Sequence, residues 1–158
     1  MKEILKALDN TLNSAEKLLG SINSTTFQNK TVGPYYSSIG SHMRHLLDVF
    51  KCVLEGLKTN EIDLTGRKRD LMVSENLQEC LKQVRETKGQ LMDLYTLENL
   101  NCISVIDDHG LGKIKIEYTI ESILAQSNSH AIHHFASISY ILYNLDVNVE
   151  MPEFGFNP

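Results

Sequence analysis

Ser127-Asn128-Ser129-His130-Ala131-Ile132-His133-His134-Phe135-Ala136 carries half of the six histidines in the chain. His130 and His134 are four residues apart. On a helix that spacing puts both imidazoles on one face, about 6 Å apart along the axis. Projected at about 100° per residue, His130, Ile120, Ile123, Ile138, Ile141 and Leu145 all fall within about 40° of His134. The pattern predicts a long amphipathic helix with two histidines in the middle of its buried stripe. His133 projects about 100° away, onto the flank. Buried polar groups need partners, and an unpaired one costs about 1–3 kcal/mol. Two readings satisfy both rings: a shared metal ion, or hydrogen bonds from core histidines to Ser, Tyr or backbone carbonyls.

Outward from this stretch, Thr119 is placed to cap the helix, which runs to about Asn144. Before it, over residues 101–118, the period changes. Ile103 and Val105 alternate with polar residues, Asp107-Asp108-His109-Gly110-Leu111-Gly112 makes a turn, and Ile114, Ile116 and Tyr118 alternate again. That predicts a small β-hairpin. Three further helical patterns precede it. The first covers residues 2–22, on Leu5, Leu8, Leu12, Leu18 and Leu19. The second starts after Ser37 or Ser38 and reaches about Lys58, on Ile39, Met43, Leu46, Leu47, Phe50, Val53, Leu54 and Leu57, interrupted by Gly40 and Gly56. The third runs from about Glu75 to Tyr95, with Ser74 as the expected N-cap and Leu77, Leu81, Val84, Leu91 and Leu94 as its core. Residues 23–36, broken by Gly33-Pro34, and residues 59–73 are expected as connections. The tail, Met151 to Pro158, carries three apolar side chains and is expected to pack back on the helices. The expected fold is all-α: one domain over residues 1–158, a four-helix bundle with a crossover connection and a small β-hairpin excursion before the last helix.

The net charge is -5 and the densest basic cluster, Arg67-Lys68-Arg69, is followed at once by Asp70. That argues against a nucleic-acid or anionic-membrane partner. Cys52, Cys80 and Cys102 are widely spaced, without CxxC, and read as buried reduced thiols of a cytosolic protein. The segment Met1 to Lys6 lacks an apolar signal region, and no run approaches about 18 apolar residues. The expectation is a cytoplasmic chain with no signal peptide and no membrane span.

A mononuclear centre needs a third ligand, usually from another helix. His42 and His45 on the second helix are the candidates, since His109 sits in a turn. The wheel alone places His42 nearer the apolar stripe than His45. A di-iron carboxylate site would need Glu-x-x-His on two helices, and none is present. A zincin would need His-Glu-x-x-His, and Ala131 follows His130. There is no G-x-S-x-G elbow and no phosphate-binding glycine loop.

Three segments together resemble the DinB-like, or YfiT-like, superfamily of metal-binding four-helix bundles. Ser38-Ile39-Gly40-Ser41-His42-Met43-Arg44-His45-Leu46-Leu47-Asp48 is similar to the family's second-helix segment, where a histidine follows an apolar position by six residues. Ser129-His130-Ala131-Ile132-His133-His134-Phe135-Ala136 resembles its fourth-helix H-x-x-H-H segment. Met151-Pro152-Glu153-Phe154-Gly155-Phe156-Asn157-Pro158 is close to a C-terminal segment of one branch, and Arg67-Lys68-Arg69-Asp70 with Glu75 fits an Arg-rich connection there. Where that branch often carries Arg-Glu early in the last helix, this chain has Ser122-Ile123. The resemblance implies a His₃ site of His45, His130 and His134 that binds a divalent transition metal and leaves positions open for water or substrate. Some members are thiol-dependent transferases or isomerases, and many have no known activity.

Three functional readings follow. In the first the chain is an enzyme, a metal-dependent hydrolase or low-molecular-weight-thiol transferase, in which zinc, nickel, iron or manganese acidifies a water or a thiol. His42, His133 or Arg44 would then support the ligands or move protons, against the plainer reading of each as a solvated or capped surface residue. In the second the chain holds metal without turnover, as a stress-response module. In the third the histidines are hydrogen-bonded core residues of a structural bundle. Arg67 and Arg69 could bind an anionic substrate, with a salt bridge to Asp70 or Glu75 as the plainer expectation. The expected partners are a small-molecule substrate and, through exposed apolar faces, a second copy in a homodimer.

Overall fold

Each of the four long apolar patterns is a helix in the computed structural model, which describes residues 1–96 and 102–156. They are α1 (Lys2–Ser21), α3 (Ile39–Thr59), α5 (Leu77–Asp93) and α6 (Ile120–Asn144). Two single-turn helices, α2 (Ser24–Gln28) and α4 (Leu71–Glu75), lie in stretches expected as plain connections. The chain is thus mostly helical, with six α-helices among the described residues and a small sheet ahead of the last one.

The helix starts follow capping chemistry. Ser38 accepts from the Ser41 amide at 3.1 Å, Thr119 from the Ser122 amide at 3.1 Å, and Asn23 from the Thr26 amide at 2.9 Å. The third long helix starts differently from expectation. Its cap is Asn76, which accepts from the amides of Gln78 and Glu79. Ser74 lies inside α4 and gives its hydroxyl to the Leu71 carbonyl. Asp70 caps α4 through Met72 N.

The hairpin is present, as β2 (Cys102–Asp108) antiparallel to β3 (Lys113–Thr119), with Val105 opposite Ile116. A third strand, β1 (Glu61–Asp63), pairs in parallel with β2, Ile62 opposite Val105. Ile62, Ile103 and Val105 are buried. Ile114 and Ile116, on β3 at one edge of the order β1-β2-β3, are 37% and 41% exposed.

Helix α1 packs on α5 and α6, and α3 packs on the same two. Their inward faces share one core, including Leu8, Leu12, Leu18, Met43, Phe50, Val84, Leu124 and Ile138. The two glycines that interrupt the α3 pattern are where other elements come closest. A Cβ at Gly40 would meet the Ser74 carbonyl and stand 2.8 Å from the Phe27 ring, and one at Gly56 would stand 2.7 Å from the Glu61 carbonyl. Glycine therefore lets α4, α2 and β1 lie directly on the α3 backbone.

The tail returns to α6 through Phe154, buried and stacked on Phe135 with centroids 4.5 Å apart. Phe156 departs from expectation and is 72% exposed. Asn157 and Pro158 of the expected tail, and residue 101 of the expected extended stretch, lie outside the described residues. Of the cysteines expected to be buried, Cys80 is, Cys52 is half-buried and Cys102 is exposed. No helix among the described residues is long and apolar enough to cross a membrane.

Candidate metal centre

The contact between α3 and α6 brings four histidines together. Ser38 sets the start of α3, so His42 and His45 fall in its first two turns. His130 and His134 lie one turn apart near the middle of α6. His45, His130 and His134 each offer a ring nitrogen, and these atoms all lie within 4.8 Å of one another. Their ring centroids are 4.6 to 5.0 Å apart, with the rings edge-on. Three histidines this close could hold a metal ion.

The rings do not sit in the middle of the α6 stripe as the wheel suggests. The buried line runs through Leu124, Ser127, Ala131, Phe135, Ile138 and Leu142, and His130 and His134 lie half-buried on its margin. The wheel also places His42 ahead of His45, whereas His45 stands in the trio. His42 instead bonds to a member of it: its Nδ1 is 2.9 Å from His134 Nδ1, and its Nε2 is 2.8 Å from Ser37 Oγ. His133 is exposed, with its ring centroid 5.5 Å from that of His134. Arg44 pairs along its own helix with Asp48, a carboxylate only 7% exposed.

Two observations bear on whether these residues suit an ion. His130 Nε2 is buried and, among the described residues, has no hydrogen-bond partner. A metal would satisfy that nitrogen, which otherwise costs about 1–3 kcal/mol. The second is charge state. Burial holds the His134 pKa down at about 3, helped by the neighbouring His130, His45, His42 and His133. Burial likewise lowers His45 to about 4, with His130, Arg67 and Arg44 adding to the effect. His130 and His42 are also lowered, burial first and His133 second, with Arg67 contributing at His130 and Asp107 opposing. Imidazole ligates through a neutral nitrogen's lone pair, and these rings are held in that form near neutral pH. The donor set therefore fits a transition metal.

Several neighbours carry no local sequence signal. Arg67 is half-buried and, among the described residues, makes no ion pair. The expected bridge to Asp70 or Glu75 is absent there, because Asp70 turns to cap α4. Asp48 keeps its carboxyl raised by burial, against the opposing pull of Arg44 and Arg67. Ser37, the partner of His42, lies five residues before it and ahead of the helix, where no periodicity reaches. No protein-family model matches the chain, and no curated protein matches it at a significant level.

Proposed function

We propose that the chain is a DinB-like four-helix bundle, a single domain over residues 1–158, in which His45, His130 and His134 hold one divalent transition-metal ion. In this reading the ion, zinc, nickel, iron or manganese, serves a metal-dependent hydrolase or a low-molecular-weight-thiol transferase in the cytoplasm. The mutual packing of α1 and α3 on α5 and α6 supports the bundle. The observation that carries the metal reading is the convergence of three imidazole nitrogens within 4.8 Å, from two different helices.

Three protein ligands leave a tetrahedral ion with a free position, the arrangement of catalytic sites. An ion bound there supplies Lewis acidity, which brings the pKa of a water or a thiol towards neutrality. The chain's own residues define the rest. Neutral imidazoles present lone pairs without first releasing protons. The Arg67 charge is felt at both His45 and His130. With no ion pair among the described residues to neutralise it, Arg67 favours a small anionic substrate or a thiolate. Arg44 is committed to Asp48 and is not assigned a substrate.

Elemental analysis of protein purified without added metal tests the site. One ion per chain, lost in His45→Ala and His134→Ala, is the expected result, and a metal-free parent sinks the reading. Anomalous scattering at several absorption edges then identifies the ion. Ester-hydrolysis and thiol-transfer panels on the loaded protein decide between the two chemistries, and silence in both leaves a metal-holding module without turnover.

A further inference from the structure

We infer that Ser37 and His42 form an orienting unit that holds the His134 ring in place and supports the one tautomer able to bind metal, and so set the affinity of the centre. The inference rests on the metal-binding reading above and adds positioning residues to it.

The geometry leaves two arrangements. The contact between His42 Nδ1 and His134 Nδ1, at 2.9 Å, needs one N–H and one lone pair. If His42 donates, neutral His134 carries its proton on Nε2 and has no lone pair left for an ion. If His134 donates from Nδ1, its Nε2 lone pair is free. In that arrangement neutral His42 has its proton on Nε2, and it donates to Ser37 Oγ at 2.8 Å. Only the second arrangement serves a metal centre, and the Ser37 hydroxyl, which can accept or donate, takes the acceptor role there. The His42 ring is thereby held at both nitrogens. The contact joins residues 92 apart in sequence, so it belongs to the α3–α6 packing and not to local helix chemistry. Helix α3 thus contributes one ligand, His45, and one turn earlier the residue that orients a ligand on α6. Partners of this kind typically govern metal affinity by about 10–100-fold.

The test is a Co²⁺ titration followed by visible absorption, with thermal unfolding of the metal-free variants alongside. His42→Leu removes both hydrogen bonds and is expected to weaken Co²⁺ binding about 10–100-fold with the number of bound nitrogens unchanged. His42→Gln restores an acceptor for His134 and a donor for Ser37, and is expected to recover affinity to within about threefold of the parent. Ser37→Ala is expected to weaken binding in the same direction by a smaller factor, and carries the test if His42→Leu does not fold. A purely structural His42 would lower the unfolding temperature of the metal-free protein and leave Co²⁺ affinity in place. Equal affinity in parent, His42→Leu and Ser37→Ala overturns the inference. So does an equal loss in the Leu and Gln variants, or a Co²⁺ spectrum showing one nitrogen fewer in His42→Leu, which would make His42 a ligand. If the parent binds no Co²⁺, the metal reading falls and this inference with it. If the parent binds one ion and the variants bind as tightly, the inference falls alone.

Discussion

The imidazole of His45 on α3 meets that of His134 on α6 edge-on, with centroids 4.8 Å apart and planes at 74°. An ion shared between them would tie two helices that are far apart in sequence, and it would be bound only by the folded chain. Metal should therefore raise stability by mass action, by about 4 kcal/mol at a thousandfold excess over the dissociation constant. For a chain of this length that is on the order of 10 °C in unfolding temperature. The expected result is a rise of that size on adding Zn²⁺ or Co²⁺, reversed by chelator and missing in His45→Ala. A parent whose unfolding temperature ignores metal would refute the prediction.

The metal-free protein should lose stability in mild acid. His45 and His134 are held at about 4 and about 3 in the fold, mainly by burial, against 6.5 for a histidine in water. Below pH 6.5 the unfolded chain takes up protons that the folded chain refuses. The stabilising contribution is thus complete above 6.5 and is lost progressively as pH falls towards the folded values. The expected loss by pH 5 is on the order of 1 kcal/mol for each of these two rings. Denaturant unfolding at pH 7.5 and pH 5 in chelator measures it, and a double His45→Phe, His134→Phe variant should show a much flatter dependence.

The parts of the molecule that sequence exposes and the parts it hides differ by range. Helices α1, α3, α5 and α6 repeat an apolar residue every three or four positions, so their own composition announces them. The pair β2 and β3 announces itself through alternation around a glycine-containing turn. Strand β1 does not, because three residues in a polar stretch become a strand only by pairing in parallel with β2, about forty residues further on. The trio of histidines was half legible. The i, i+4 pair on α6 is a local signal, whereas the choice between His42 and His45 depends on how α3 is rolled against α6. An ideal wheel centred on the apolar stripe carries no information about that roll, and it mistakes the margin facing a neighbour for the centre of the core. Arg67 reaches the site through tertiary packing alone, and Ser37 through the turn that leads into α3, outside any helical period.

The three thiols should react in a fixed order. Cys102 is exposed, Cys52 half-buried and Cys80 fully buried. Burial pushes the Cys80 thiol up to about 12, with the charge of Glu79 adding to it, and burial also raises Cys52. The thiolate is the reactive form. A disulfide reagent at pH 8 should therefore modify Cys102 rapidly, Cys52 slowly, and Cys80 only on unfolding. Mass spectrometry of peptides from quenched samples reads the order directly. Rapid labelling of Cys80 in the native protein would contradict the packing of α5.

Two glycines on long helices should respond in opposite directions to the same change. Gly89 lies on the exposed side of α5, and a Cβ there meets nothing within 4 Å. Gly89→Ala should stabilise by about 0.5–1 kcal/mol, since it restricts the unfolded chain and improves helix propensity. Gly40 has the same helical backbone, but its Cβ would run into the Ser74 carbonyl and the Phe27 ring. Neither can yield cheaply, because Phe27 is fully buried and Ser74 belongs to α4. Gly40→Ala should therefore cost about 1–3 kcal/mol through overpacking, more than offsetting the gain in propensity. It should also disturb the start of α3, two residues before His42, so metal affinity should fall in Gly40→Ala and stay unchanged in Gly89→Ala. Denaturant melts and Co²⁺ titrations on the two single variants measure both effects, and a Gly40→Ala protein as stable as Gly89→Ala would show that α4 does not rest on α3 at this point.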